Sequence, residues 1–453
     1  MSSAFLFLLA PLLLAFLGAG AAFHPSVRGF PAFARLSAAF LAGAVALAGE
    51  ATLLSMLRVP WSLVSLALPL LTVSLLLAAW WSRSRAAATP MLRFSPSKAI
   101  LLAASAIAFL AFCHLGLALA TSRATSVDYV LFWGVKGVRF AQARGIDSQL
   151  LAWSFFSHAV PDYPPLVPIV YAWCVLVAGR MSWRVGVIAT GLWLLAAIPL
   201  VLACLRRRLD DDRAAVVTAF WTAGLCVSLA HSLSGGGAEA PLLMFETVAG
   251  AALLTEAPLD SSRFLPALAL MGAALTKVEG LVGAGALVLG AFLRDALERR
   301  ERPLRRALRL ALAPLFGVGL WFAFQLVSGL PVGYRAHGMA FGLTSAHVGT
   351  ILRELMRSLN AGTLGLTWML PLVFLLGSRK SLRRVLPGLV PVFAILAFLT
   401  FDYMHDRDDP SLRIGWTAPR VSQPALSLWI LSAGLAWFSP REDDRNRLHG
   451  GGG

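Results

Sequence analysis

The chain has 453 residues, 58% of them hydrophobic and 14% charged, with a mean hydropathy of +0.73. No soluble fold of this length hides so much apolar surface, so the composition excludes a soluble globular protein and specifies a polytopic membrane protein. The net charge of +16 is not a nucleic-acid footprint: the basic residues gather in short segments between apolar runs, where topology selection and anionic membrane lipids account for them.

Apolar runs predict thirteen spans, near residues 3–22, 37–57, 61–81, 99–121, 185–204, 214–231, 240–256, 264–276, 279–293, 309–329, 363–377, 386–401 and 425–438. The first has no basic leader and reads as a retained helix, not a cleaved signal. Most of the 39 Lys and Arg residues fall in alternate short loops around Arg28, Arg83, Arg206, Arg263, Arg294 to Arg309, Arg379 and Arg441, which makes that face cytoplasmic. The opposite, external face then receives the segment 122–184, Glu239, Lys277, Glu279 and a loop at 402–423. Pro165 to Ala178 is apolar but shorter than a span, and is expected to be an interfacial or re-entrant helix on the external side. The run Arg294 to Arg309, with Asp295, Glu298 and Glu301 interleaved, reads as a solvated cytoplasmic helix. Cys113, Cys174, Cys204 and Cys226 lie in apolar runs without metal-ligand spacing and read as small core residues.

A charged, aromatic-rich segment from Thr121 to Pro168 interrupts this pattern, and long structured loops are where surface chemistry is placed. Asp128, Phe132, Lys136 and Arg139 recur at helical spacing and are expected to share one face. Asp128 fits either a capping box with Thr125 or a carboxylate that deprotonates an acceptor. Asp162-Tyr163-Pro164-Pro165 ends one element and starts another, and His158 is either a proton carrier, a metal ligand or a solvated loop residue.

Farther on, three glycines from Gly235 to Gly237 follow His231 and precede Glu239, which is expected to open a helix. Lys277 and Glu279 stand between two apolar runs. An ionisable group at that depth marks function by default, and pairing with Glu279 or Glu239 lowers its cost. In the 402–423 loop, Asp406, Asp408 and Asp409 form either a solvated acidic stretch or hard oxygen ligands for a divalent cation. Arg420, just before the last span, suits a phosphate.

No Walker loop, dinucleotide fingerprint or H-E-x-x-H motif occurs, which argues against nucleotide-driven chemistry. Five motifs in order resemble the GT-C superfamily of membrane glycosyltransferases, in the bacterial branch near protein O-mannosyltransferases and aminoarabinose-transferase-like proteins. They are Asp128 with Trp133, Lys136 and Gly137; Pro161 to Leu166; Gly237 to Leu242, with Glu239 where that branch usually has aspartate; Thr276 to Gly280; and Trp416 to Pro424.

The resemblance implies an all-α membrane fold of about thirteen helices. Residues 1–98 lie outside the family pattern, 99–440 form the catalytic module, and 441–453 form a cytoplasmic tail. It further implies inverting transfer of a sugar from a polyprenyl-phosphate donor to a lipid, glycan or protein acceptor, at the periplasmic face of a bacterial inner membrane. Asp128 would be the base, Lys277 and Arg420 the phosphate ligands, and Glu239 and Tyr163 part of the sugar or acceptor pocket. Lys136, Glu279 and His158 complete the candidate set, and a divalent cation is the one candidate cofactor. The alternative is a transporter or flippase of a lipid-linked sugar.

Overall fold

A computed structural model of the chain describes residues 3–83, 94–121, 128–153, 163–232, 235–256, 263–332, 348–360, 365, 367–369, 371–372, 382–404 and 410–438. The first group of helices is α1 (Ser3–Leu17), α2 (Pro25–Arg28), α3 (Ala32–Met56), α4 (Leu63–Arg83) and α5 (Lys98–Thr121). Next come α6 (Gly134–Ala143), α7 (Ser148–Ala152), α8 (Leu166–Ala178), α9 (Trp183–Leu205) and α10 (Asp211–Ser232). They are followed by α11 (Glu239–Thr255), α12 (Phe264–Thr276), α13 (Val278–Leu297), α14 (Pro303–Val327) and α15 (Val348–Leu359). Last are α16 (Leu382–Tyr403), α17 (Pro410–Val421) and α18 (Gln423–Phe438). Twelve of the thirteen expected spans coincide with one of these helices, while 363–377 falls largely outside the described residues. Among the described residues 8 helices are long and apolar enough to cross a membrane, and no strand occurs: this is an all-α, multi-pass membrane protein.

The bundle is layered around α11, which is buried along nearly its whole length, with α9, α12, α13 and α18 packed on it. At the periphery, α4 and α5 expose Leu75, Trp80, Leu102, Phe109 and Leu117. A helix that is apolar all round and exposed on most sides is one that faces lipid. α1 and α3 meet through glycine: a Cβ on Gly43 would overlap the Leu14 carbonyl, and one on Gly18 the Ala39 carbonyl. In a bilayer no hydrophobic drive separates helix–helix from helix–lipid contact, so such close backbone approach supplies the packing.

Two expectations need correction, and a third is refined. α8 is the short helix expected from Pro165 to Ala178, and its residues Leu166 to Cys174 are buried against α1, α3 and α6. Its length excluded a full span, but only its neighbours could show that it is enclosed. The 402–423 stretch is not simply a loop, since its second half folds as α17.

The Arg294 to Arg309 run is not a solvated helix. α13 ends at Leu297 and α14 begins at Pro303, and Arg294 and Asp295 are 4% and 0% exposed. Glu256, at the end of α11, accepts from Arg263 (2.9 and 3.1 Å), Arg294 (2.6 Å) and Arg306 (3.1 Å). Asp295 accepts from Arg263 at 2.6 Å and Arg294 at 2.9 Å. Partners from outside the run desolvate it, which spacing within the run cannot reveal.

This ion network marks one end of the bundle. α11 leads from Glu239 to Glu256 and α13 from Glu279 to Asp295, so the candidate residues Glu239 and Glu279 stand at the other end.

Candidate functional site

Asp128 precedes a π turn, Tyr129–Trp133, that leads directly into α6. Thr125, its expected capping-box partner, lies outside the described residues; Asp128 Oδ2 accepts from Arg420 Nη1 on α17. The face expected from helical spacing divides within α6, after the π turn. Lys136 turns inward, 1% exposed, with Nζ 3.9 Å from the Phe132 ring centroid. Arg139 turns outward and pairs with Asp147 at 2.8 Å.

Tyr163 sits against the same aromatic floor, its ring edge-on to Phe132 (5.4 Å) and Trp133 (5.6 Å). Lys277 Nζ lies 5.6 Å from the Tyr163 ring centroid. The backbone at Lys277 is extended, at φ −150° and ψ 163°, so it breaks the α12–α13 hairpin and points its side chain into the bundle end. Gly280 makes the turn feasible, because a Cβ there would overlap the Ala273 carbonyl.

Lys277 Nζ is 3.1 Å from Glu279 Oε1 and 3.7 Å from Glu239 Oε1. Arg420 Nη1 is 4.0 Å from the same Glu239 oxygen. The order Asp128, Arg420, Glu239, Lys277, Glu279 is therefore a continuous alternation of acid and base drawn from four segments. Glu239 is 3% exposed, and neither of its carboxylate oxygens has a hydrogen-bond partner among the described residues.

Burial by itself would lower the Lys277 ammonium, but the Glu279 and Glu239 carboxylates outweigh it and hold the group above its usual value. The Arg420 guanidinium is raised in the same way, with Glu239 and Asp128 overcoming desolvation. Burial, reinforced by Glu279 and Asp402, pushes the Tyr163 phenol well up, so it is a neutral donor at physiological pH and no base.

Glu239 follows the glycine run noted in the sequence, which rests on two tyrosines that local spacing did not single out. Gly236 has φ +82°, and a Cβ on it would overlap the Tyr129 ring. Its carbonyl accepts from the Tyr171 hydroxyl at 2.6 Å, and the Tyr129 and Tyr171 rings are tilted against each other with centroids 5.1 Å apart. The first turn of α11 is thus seated on two tyrosines from α8 and the π turn.

A second group was legible but missed. Arg413, Thr417 and Arg420 recur at helical spacing on α17; Arg413 pairs with Asp402 at 2.7 Å, and Thr417 with the Tyr403 hydroxyl at 2.6 Å. Reading 402–423 as a loop hid that period.

The structure therefore brings together Asp128, Tyr163, Glu239, Lys277, Glu279 and Arg420. It sets Lys136 behind the Phe132 and Trp133 rings. His158, Asp162, Asp406, Asp408 and Asp409 lie outside the described residues. Among the described residues no group of three His, Cys, Asp or Glu side chains could hold a metal ion. No protein-family model, curated protein or solved structure matches the chain.

Proposed function

We propose that the chain is a membrane glycosyltransferase of the GT-C kind, which moves a sugar from a polyprenyl-phosphate donor to an acceptor at the external face. The observation that carries this reading is the convergence of a partly exposed carboxylate, Asp128, with two buried or half-buried cations, Lys277 and Arg420, at one end of an apolar bundle. Transfer needs two things there. A base takes the proton of the acceptor hydroxyl as its oxygen attacks the anomeric carbon. Cations then hold the phosphate that leaves with the electron pair of the broken carbon–oxygen bond. Phosphate is a good leaving group, so no strong general acid is required.

Depth supports a lipid-borne donor. The Glu256–Asp295 ion network is expected at headgroup level, and α12 rises from it by only 13 residues, about 20 Å, before it reaches Lys277. A hydrocarbon core is about 30 Å thick, so Lys277 stands short of the far surface. A phosphate anchored by a polyprenyl chain reaches that level more readily than a soluble sugar nucleotide.

The test is a transfer assay in proteoliposomes with a radiolabelled polyprenyl-phosphate sugar. Asp128→Asn is expected to abolish covalent product while the protein still elutes as a monodisperse species. Full activity in that variant removes the base assignment.

One observation favours the transporter alternative. Glu246 is a buried carboxylate in the middle of α11, directed at Gly283 on α13, below the candidate site. Carboxylates at membrane depth are common in proton and ion pathways. Movement of the labelled lipid between leaflets with no covalent product decides for that reading.

A further inference from the structure

The two cations assigned to the donor phosphate are both already engaged by carboxylates of the protein. Arg420 is bound to Asp128 and stands 4.0 Å from Glu239, and Lys277 lies 3.1 Å from Glu279. Asp128 is the residue proposed as base, so the same ion pair that occupies the phosphate ligand also occupies the acceptor's base. While Asp128 Oδ2 is engaged by the Arg420 guanidinium, that oxygen is not open to the acceptor hydroxyl.

We propose that the Asp128–Arg420 pair is a donor-controlled latch. The phosphodiester of the donor displaces Asp128 from Arg420, and the carboxylate so released becomes able to accept the proton of the acceptor hydroxyl. This rests on the glycosyltransferase reading and adds an order of events to it: donor first, acceptor second.

Three features make the exchange feasible. The pair is not sealed in the core, with the Asp128 side chain 35% exposed and that of Arg420 18%. The guanidinium fork matches phosphate at least as well as carboxylate, so the exchange trades one charge-assisted pair for another. The Glu239 carboxylate between the cations has no hydrogen bond among the described residues, and it keeps Arg420 and Lys277 near each other when Asp128 leaves.

The test is equilibrium binding of undecaprenyl phosphate, without sugar, to the full-length protein in nanodiscs. Parent, Asp128→Asn, Arg420→Ala and the double variant are compared, with Asp128→Ser as a second replacement should the asparagine form fold poorly. Removal of the competing carboxylate is expected to tighten binding by roughly three- to tenfold in the Arg420 background. In the Arg420→Ala background the same change is expected to have no effect, since there is no latch to open. Equal tightening in both backgrounds means that Asp128 only repels the phosphate through space, and overturns the latch. Unchanged or weaker binding in Asp128→Asn overturns it too. Sugar transfer by the parent is measured in parallel, so the latch can fail while the enzyme reading stands. If the parent neither binds the lipid nor transfers sugar, both fall.

Discussion

Lys277 shows how a single buried side chain is committed to charge. Burial makes an ammonium expensive, and two carboxylates within 3.7 Å offset that cost. Lys277→Ala is expected to raise the KM for the polyprenyl-phosphate donor by about tenfold or more, with a smaller change in kcat, because it removes ground-state binding of the phosphate. A KM equal to that of the parent counts against the phosphate role.

His24 is a residue-scale case of the opposite kind. Its ring stacks on Phe264 at 4.0 Å and meets Trp81 edge-on at 4.7 Å, and burial pushes its pKa down to about 4 from 6.5. Above pH 6.5 the ring is neutral in both folded and unfolded chains, and its contribution is complete. As pH falls from 6.5 towards 4 the unfolded chain takes up the proton first, so stability is lost across that window. Melting midpoints in detergent between pH 7 and pH 4.5 should therefore fall less in His24→Phe than in the parent. Parallel curves for the two proteins would remove His24 as the cause.

At the scale of elements, glycine decides how closely the helices meet. Gly43 sits where α1 and α3 touch backbone to backbone, so Gly43→Leu forces the pair apart and is expected to cost about 1–3 kcal/mol. Gly49, on the same helix, has its nearest neighbour, the Leu320 side chain, 3.9 Å from where a Cβ would stand. Gly49→Ala is therefore the control, expected to melt with the parent or slightly above it, since alanine is the better helix former. A similar loss in both variants would mean that helix propensity, and not the α1–α3 contact, is being measured.

Gly236 carries the same logic into the site. Any side chain there strains a left-handed backbone and overlaps Tyr129, so Gly236→Ala should disturb Glu239 as well as the loop.

On the scale of the whole molecule, two charged assemblies cap opposite ends of one apolar bundle. Their surroundings differ. The Glu256–Asp295 network ties the ends of α11, α12, α13 and α14 with buried, multiply bonded arginines, which suits a structural clamp. Removal of one acid leaves several guanidinium groups uncompensated, and Glu256→Ala is expected to destabilise the protein by about 3–5 kcal/mol. Thermal unfolding in detergent reads this directly, and a shift no larger than that of a surface variant would show the clamp to be dispensable. The Asp128–Glu279 assembly differs at its centre: Glu239 has no hydrogen bond among the described residues and meets its cations only at 3.7 and 4.0 Å. That combination leaves bonding capacity for a ligand.

Hydropathy and length alone determined the membrane class, the all-α fold and the position of twelve helices, because a bilayer imposes one constraint on every span and each apolar run satisfies it locally. The sequence also pointed to Asp128, Glu239, Lys277 and Arg420, since ionisable groups beside apolar runs are conspicuous wherever they fall. What only the tertiary structure decided is who pairs with whom. The π turn after Asp128, the enclosure of α8, the tyrosines beneath Gly236 and the desolvation of Arg294 and Asp295 all depend on partners far away in the chain. Helical spacing reports which residues share a face, but the energy of a charge depends on what stands opposite that face, and the packing of distant helices supplies it.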